Sequence, residues 1–397
     1  MKFSDKVLQC GQSPMRKFHP YAVAAEAAGK TIYHLNIGQP DIHTPAGYFE
    51  TVRNFHEEVL AYAASPGEPR LISAIRRYYR GLGADFSEGD ILITTGGSEA
   101  LQIVMNCLLN PGDEVIVPEP FYSNYSTFVR MAGGVIHPLP TYPEEGYYYA
   151  DTRRFEACLT PRSRALLITN PGNPTGVTLS RSEMRSLLRF AQEHDLYLIA
   201  DEVYREFVYT DEPLATFGQF EFGQENLILI DSVSKRFSAC GARVGCLISR
   251  NQELMSHALK CCQARLAVAT LDQAAASALY EVEPAYFQSV RDEYRRRRDT
   301  LVKKLAQIPG VIFDCPKGAF YLMAALPIDD AGKFQKWLLE SFSDRNETVM
   351  FAEGASFYAT PGRGKNEIRI AYVLCPEDLS RAAELLGMGI EEYNRQK

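Results

Sequence analysis

The stretch Asp231–Gly245 reads DSVSKRFSACGARVG. It sets one lysine, Lys235, behind two hydroxyls, Ser232 and Ser234, and follows it with small residues, Gly241 and a second cation, Arg243. A lysine held where its pKa falls is a nucleophile toward carbonyl carbon and forms Schiff bases. A lysine met alone is far more often a solvated surface charge, so this one gains meaning only from its company. Three other stretches supply it. GGSEAL (96–101) carries glycines into a helical pattern, where bare N–H groups and the positive end of the helix dipole suit a phosphate. By itself that signal is weak: a glycine turn before a helix is common, and neither GxGxxG nor the GK[ST] of a P-loop is present. NPGNPTG (Asn170–Gly176) forces a tight irregular turn, which is either only a turn or a rigid seat for an amide. DEVY (Asp201–Tyr204) closes an apolar run with a carboxylate, costly to bury unless paired. That carboxylate either caps a neighbouring helix or serves a ligand, with a phenol close by in sequence.

Taken together, the four stretches offer phosphate donors, a rigid amide, a carboxylate, and a lysine with hydroxyls and an arginine. Those are the needs of pyridoxal phosphate: a phosphate, a pyridine nitrogen that wants an anion, a phenolic oxygen that wants donors, and an aldehyde that wants an amine.

Each stretch follows a short β-rich run, and these runs define the elements that must position the chemistry. Strands are expected at ILITT (91–95), DEVIVP (113–118), RALLITN (164–170), LYLIADEVY (196–204), NLILID (226–231) and RVGCLIS (243–249), with helix-period segments between several of them. One such segment is opened by a capping box, Ser180 with Glu183, and runs through MRSLLRFAQEH. Continuous apolar strands separated by helices imply a mostly parallel sheet covered on both faces. In such sheets ligands collect at the carboxyl ends of the strands. After about residue 272 the pattern changes to a long helical region, then short strands in VIFDCPKGAFYLMAAL, ETVMFAEG and EIRIAYV, then a terminal helix from near Pro376. The expected fold is α/β: a large domain over 46–285 with a mostly parallel sheet of seven-stranded type, and a smaller α+β domain from 1–45 and 286–397.

Bulk properties exclude several classes. A chain of 397 residues suits two domains, and 46% hydrophobic with 23% charged residues is ordinary for a soluble protein with a substantial core. A net charge of −7 argues against nucleic acid or an anionic membrane as the main partner. The one basic cluster, RDEYRRRRD (Arg291–Asp299), is expected to be a solvated helix face. Nine cysteines without paired metal-site spacing read as free thiols in a reducing compartment. The seven histidines show no HExxH. There is no signal-peptide-like run and no stretch near the roughly 20 apolar residues of a membrane helix. A cytoplasmic protein without a metal is expected.

Over nearly its whole length the chain resembles the class I, or fold-type I, aminotransferases, those specific for aspartate among them. SVSKRFSACGARVG matches the family's S-x-S-K followed by G-x-R-x-G, and LNIGQPD, YAASPGEPRL, TTGGSEAL, PEPFYSNY, NPGNPTG, DEVY, PKGAFY and EIRIAY stand in the family's order. The resemblance implies a fold-type I transferase with pyridoxal 5′-phosphate as cofactor, an amino acid and a 2-oxo acid as substrates, and a homodimer with shared active sites. It also implies roles. Lys235 would carry the cofactor covalently and shuttle the proton between it and the substrate α-carbon. Asp201 would pair with the pyridine nitrogen. Tyr204 and Asn173 would bond the phenolic oxygen. Gly97, Ser98, Ser232, Ser234 and Arg243 would hold the phosphate, with Glu99 contributing its backbone. Tyr122 would stack on the ring, and Tyr62 would reach the phosphate of the neighbouring subunit. Arg369 would grip the substrate α-carboxylate by a bidentate fork, with Asn173 and the backbone of Gly38 beside it as the smaller domain closes.

Two positions depart from the pattern. Ala242 stands where many relatives carry a bulky aromatic before the arginine, which leaves the wall near the phosphate looser or filled by another segment. Ser98 stands where one aspartate-specific branch has a lysine for the substrate's distal carboxylate, so that recognition mode does not carry over. Arg265, in CCQARLAVATLDQ, is the alternative cation: another aspartate-using branch places a neighbour-subunit arginine in a similar segment. It either reads the side-chain carboxylate of aspartate or glutamate, or satisfies the last carbonyls of its own helix. Three functions therefore stand: a transaminase with aspartate favoured; a transaminase for alanine, aromatic or methionine-type donors, or a C–S β-lyase on the same core; and a regulatory module that binds the cofactor without turnover.

Overall fold

In the computed structural model, which describes residues 2–11 and 16–396, the large sheet has seven strands. Their spatial order is Ile91–Thr94, Gly245–Ile248, Leu227–Ser232, Tyr197–Asp201, Ser163–Thr169, Glu114–Glu119 and Val135–Pro140. Neighbours run parallel except where Gly245–Ile248 meets its two partners. The runs alternate their buried side chains between two cores. Ile91, Ile93, Leu166, Ile168, Leu198 and Leu229 face one. Leu92, Ala165, Leu167, Ile199, Ile228 and Ile230 face the other. Period-two alternation with both faces apolar is what a sheet covered by helices on both sides demands. Leu71 and Ile75 of helix Pro69–Gly81 and Leu187 of helix Arg181–Glu193 close the first core. Leu101 and Val104 of helix Gly96–Leu108 and Leu254 of helix Gln252–Arg265 close the second.

The expected strands are present, and the helix at Arg181 begins on the anticipated capping box: Ser180 accepts from the Glu183 N–H, and the Glu183 carboxylate accepts from the Ser180 N–H. Val135–Pro140 (VIHPLP) was not anticipated as a strand. Two prolines argue against a central strand, and the sheet tolerates them because this one lies at its edge.

A four-stranded sheet, ordered Ala352–Glu353, Glu367–Ala371, Tyr321–Ala325 and Ile312–Phe313, packs against helices Pro284–Leu305 and Pro376–Arg395 over a core of its own. Strand Thr31–His34 pairs in parallel with Glu347–Met350. Helix Pro284–Leu305 overturns one expectation. Its run RDEYRRRRD is not a solvated face throughout, because Arg297 is buried and donates to Asp41 and Glu293, at 2.7 and 2.8 Å. Arg291 reaches the buried Glu206 at 3.0 Å. No described helix is long and apolar enough to cross a membrane.

Candidate active site

The carboxyl ends of four parallel strands and the two inner strands of the smaller sheet, through Tyr321 and Arg369, open into one cleft of about 370 Å³. It contains Gly38, Gly97, Ser98, Tyr122, Asn173, Asp201, Tyr204, Ser232, Ser234, Lys235, Arg243 and Arg369, so most residues singled out from the sequence meet there. Glu99, Tyr62 and Arg265 lie outside it.

At one end stands the N-terminus of the 13-residue helix Gly96–Leu108, whose first N–H groups have no partner within the helix. Glycines are required here for space. Gly245 pairs with Thr94 and with Ser232, and a Cβ on it would lie 2.6 Å from the Gly96 carbonyl carbon and 2.8 Å from the Gly97 nitrogen. Ser232 caps the short helix Val233–Arg236, its hydroxyl accepting from the Ser234 N–H. Arg243 adopts a left-handed backbone, φ 52°, which few non-glycine residues hold unless their surroundings impose it. Its guanidinium reaches back across the turn to the carbonyls of Cys240 and Thr95, at 3.1 and 3.4 Å. Helix N–H groups, two hydroxyls and an arginine are a fitting donor set for a phosphate. The Ala242 side chain points into the core beneath and is not part of the cleft wall.

In the middle lies Asp201, buried at the end of its strand and accepting from the Tyr125 hydroxyl at 2.6 Å and the Val203 N–H at 3.3 Å. Burial pushes its carboxyl up to about 6. Both donors are neutral, so the carboxylate lacks what would offset its desolvation. A cationic ring N–H would fit that need. Asn173 Nδ2 donates to the Tyr204 oxygen at 3.3 Å, which places an amide and a phenol together as expected. Burial drives the Tyr204 phenol well above its usual pKa. Lys235 donates from Nζ to the Gly38 carbonyl at 3.0 Å.

At the far end, Arg369 is buried with Nη1 on Asn173 Oδ1, at 3.2 Å, and Nη2 on the Asn36 carbonyl, at 2.7 Å. Its guanidinium lies over the rings of Tyr321 and Phe357, 4.5 and 5.0 Å from their centroids, and burial lowers its pKa. A desolvated guanidinium in an aromatic sleeve is prepared for a carboxylate.

The three outliers differ from one another. Glu99 turns its carboxylate to the Thr95 N–H, 2.6 Å away, and to Arg265. Arg265 ends helix Gln252–Arg265, but it serves neither its own last-turn carbonyls nor this cleft. Its Nη2 donates to the Ile93 carbonyl at 2.9 Å and its Nε lies 3.3 Å from Glu99. Tyr62 is 84% exposed, in the stretch 54–62 on the outside of the chain.

Sequence reasoning passed over Tyr125, Tyr321, Asn36 and Cys240, which also line the cleft. Tyr125 sits one helical step beyond Tyr122 in PEPFYSNY, and Tyr321 ends PKGAFY, so both were inside stretches already noticed. It also missed a buried ionic group directly beneath. Arg205 donates to Glu202 and, at 2.9 Å, to Asp231, which also accepts from Arg236, the Tyr79 hydroxyl and the Ser232 N–H. Glu202 follows Asp201 and Asp231 precedes Ser232, so Arg205 ties together two strand ends that meet in the cleft.

The family model described as aminotransferase class I and II matches residues 31–386. The chain is similar to the aspartate/prephenate aminotransferase of Thermus thermophilus, 32% identical over 370 residues that cover 91% of this chain and 92% of that protein. It is similar to the aspartate aminotransferase of Musicola paradisiaca, 30% identical over 406 residues, covering 98% and 97%. Its backbone is similar to that of Thermus thermophilus aspartate aminotransferase solved with maleate, with a TM-score of 0.88 at 28% identity, covering 98% of this chain and 100% of that one.

Proposed function

The chain belongs to the class I and II aminotransferase family, a family of pyridoxal phosphate enzymes, and from that membership we propose that it moves an amino group from aspartate to a 2-oxo acid such as 2-oxoglutarate. The observation that carries the chemistry is one cleft holding Lys235, the buried Asp201 and the buried Arg369. When bound, pyridoxal phosphate supplies an electron sink for the carbanion left as the α-proton departs. The protein does the rest. Gly97, Ser98, Ser232, Ser234 and Arg243 take the phosphate, with Glu99 offering its N–H at the same helix end. Asp201 keeps the ring nitrogen protonated, Asn173 and Tyr204 hold the phenolic oxygen, and Tyr122 covers the ring. Arg369, with Asn173 and Gly38, fixes the α-carboxylate. The substrate's position then leaves its α-proton within reach of the Lys235 amine, which takes it and returns it.

Aspartate as the donor rests on a second cation. The relatives' names point to aspartate, and maleate, found with one of them, is a dicarboxylate. Arg265 is our candidate, contributed by the neighbouring subunit of a homodimer in which Tyr62 also reaches across. We read 46–285 as the cofactor-holding unit, and 1–45 with 286–397 as the unit that closes on it. A reducing cytosol suits the nine free thiols.

Mixing the holoenzyme with aspartate alone tests the reaction. Loss of the lysine-bound cofactor's absorbance band with a stoichiometric amount of oxaloacetate is expected. Pyruvate with ammonia formed from a β-thioether amino acid such as cystathionine, and no oxaloacetate from aspartate, would mean a C–S lyase, and a spectrum unchanged by these and by alanine, phenylalanine and methionine would mean binding without turnover. Arg265→Ala should lower kcat/KM for aspartate by tens of fold and leave alanine nearly unaffected; equal losses on both would end its role in reading the side chain.

A further inference from the structure

One hydroxyl in the cleft is left unassigned by the reading above. Tyr321 is buried, and its Oη lies 3.0 Å from Tyr204 Oη and 3.4 Å from the Gly38 carbonyl. Its ring is held edge-on to Tyr204 with Arg369 over its face. Gly38 is pinned against it, since a Cβ on Gly38 would fall 1.9 Å from the Tyr321 oxygen.

Proton counting orders these contacts. A phenol has one proton to give and two lone pairs to offer. Arg369 occupies Asn173 Oδ1, which turns the Asn173 amide so that its NH₂ donates to the Tyr204 oxygen. The shorter contact of Tyr321 is to that same oxygen. With Asn173 and Tyr321 both donating, the Tyr204 oxygen accepts twice and its own proton is left to point at the ligand. A phenol that accepts two hydrogen bonds is also a stronger donor, because bonds in a chain polarise one another. The guanidinium over the Tyr321 ring works in the same direction by drawing charge from that ring.

We propose that Tyr321 is a positioning residue whose hydroxyl, by donating to Tyr204, aims and strengthens the Tyr204 hydroxyl as a donor to the cofactor's phenolic oxygen. This rests on the reading of Tyr204 as the group facing that oxygen. The groups around the Tyr204 hydroxyl are Asn173, Tyr321, Asp201 and Tyr122, and Arg369 stands behind Tyr321. A donor to the phenolic oxygen favours its anionic form and so eases loss of the neighbouring proton shared with the lysine-bound nitrogen.

The test is an absorbance pH titration of the lysine-bound cofactor in the holoenzyme without substrate, a readout that a purely structural residue would not move. Tyr321→Phe is expected to raise the midpoint by about half a pH unit, and Tyr204→Phe to raise it further. Site-specific replacement of Tyr321 by difluorotyrosine keeps the hydroxyl as a stronger donor and should lower the midpoint. That variant keeps the test alive if Tyr321→Phe does not retain cofactor. A midpoint that moves for Tyr204→Phe but stays fixed in both Tyr321 variants overturns the proposal and leaves the cofactor reading intact. A midpoint that falls in Tyr321→Phe overturns it too, since Tyr321 would then be taking the Tyr204 proton. If Tyr204→Phe itself changes nothing, the placement of Tyr204 fails and the proposal fails with it.

Discussion

Asp201 is a buried carboxylate held by two neutral donors. Burial lifts its pKa from the usual 3.8 to about 6, so the folded cofactor-free protein holds that proton more tightly than the unfolded chain does. Below about pH 4 the side chain is neutral in both states and its contribution to stability is fully present. Between about pH 4 and pH 6 the folded protein comes to bury an ionised carboxylate, and roughly 3 kcal/mol is lost by the time the pH has passed the folded pKa. Asp201→Asn cannot ionise. Its melting temperature relative to the unsubstituted protein, both cofactor-free, should therefore climb by about 2–4 °C between pH 5 and pH 7. A pH-independent difference would mean that the Tyr125 and Val203 bonds already stabilise the ionised form. Lys235→Ala is the complementary case: covalent attachment, read as a cofactor-bearing mass after borohydride reduction, should disappear, and turnover should fall by at least about a thousandfold. Lys235, Asp201 and Asn173 were legible in the sequence because each stands where an apolar run stops, and a polar residue there either caps or binds. Tyr125 and Tyr321 were not. A tyrosine at helical or strand spacing looks like core, and only the fold shows that its hydroxyl meets a carboxylate or another phenol.

Elements, rather than side chains, set the phosphate end. Gly245 sits where strand Gly245–Ile248 presses against the turn into helix Gly96–Leu108, and the atoms a Cβ would strike are backbone, which cannot swing aside. Gly245→Ala should push the helix N-terminus off the serine turn. We expect cofactor affinity to drop at least tenfold in a fluorescence titration, with secondary structure by circular dichroism little changed. Beneath the same turn, Arg205 bridges Glu202 and Asp231 inside the protein, with both carboxylates buried and Arg236 donating to Asp231. Arg205→Met would leave Glu202 to the Thr216 hydroxyl and the Phe217 N–H alone. Breaking one partner out of a buried ionic group costs about 3–5 kcal/mol, so the urea midpoint should fall sharply without a change in the slope. That group was invisible in sequence because its members come from separate strands and loops. The strands themselves were plain wherever both faces are buried, since burial on both sides writes an unbroken apolar run. Val135–Pro140 escaped notice for the converse reason: at the edge of the sheet nothing forces its residues to be apolar, and its prolines read as a turn.

At the scale of the whole molecule, the stretch 54–62 ends in apolar side chains that the chain's own core does not use. Val59, Leu60 and Tyr62 are 74, 64 and 84% exposed, an apolar run on the outside of the chain. Tyr62 does not line its own cleft. In the homodimer proposed above it would work in its neighbour's, and this can be separated from a role within its own chain by mixing variants. Let Lys235→Ala chains, which cannot anchor cofactor, be refolded together with Tyr62→Phe chains, which lose a phosphate contact. If Tyr62 acts across the interface, each mixed dimer holds one site with every group spoiled and one site with Lys235 and Tyr62 both intact. Random pairing makes about half the dimers mixed, so about a quarter of all sites should bind cofactor with the unsubstituted affinity, although neither parent has any such site. If Tyr62 acts within its own chain, no intact site can form in any pairing, and the titration will show only the weakened affinity of the Tyr62→Phe parent.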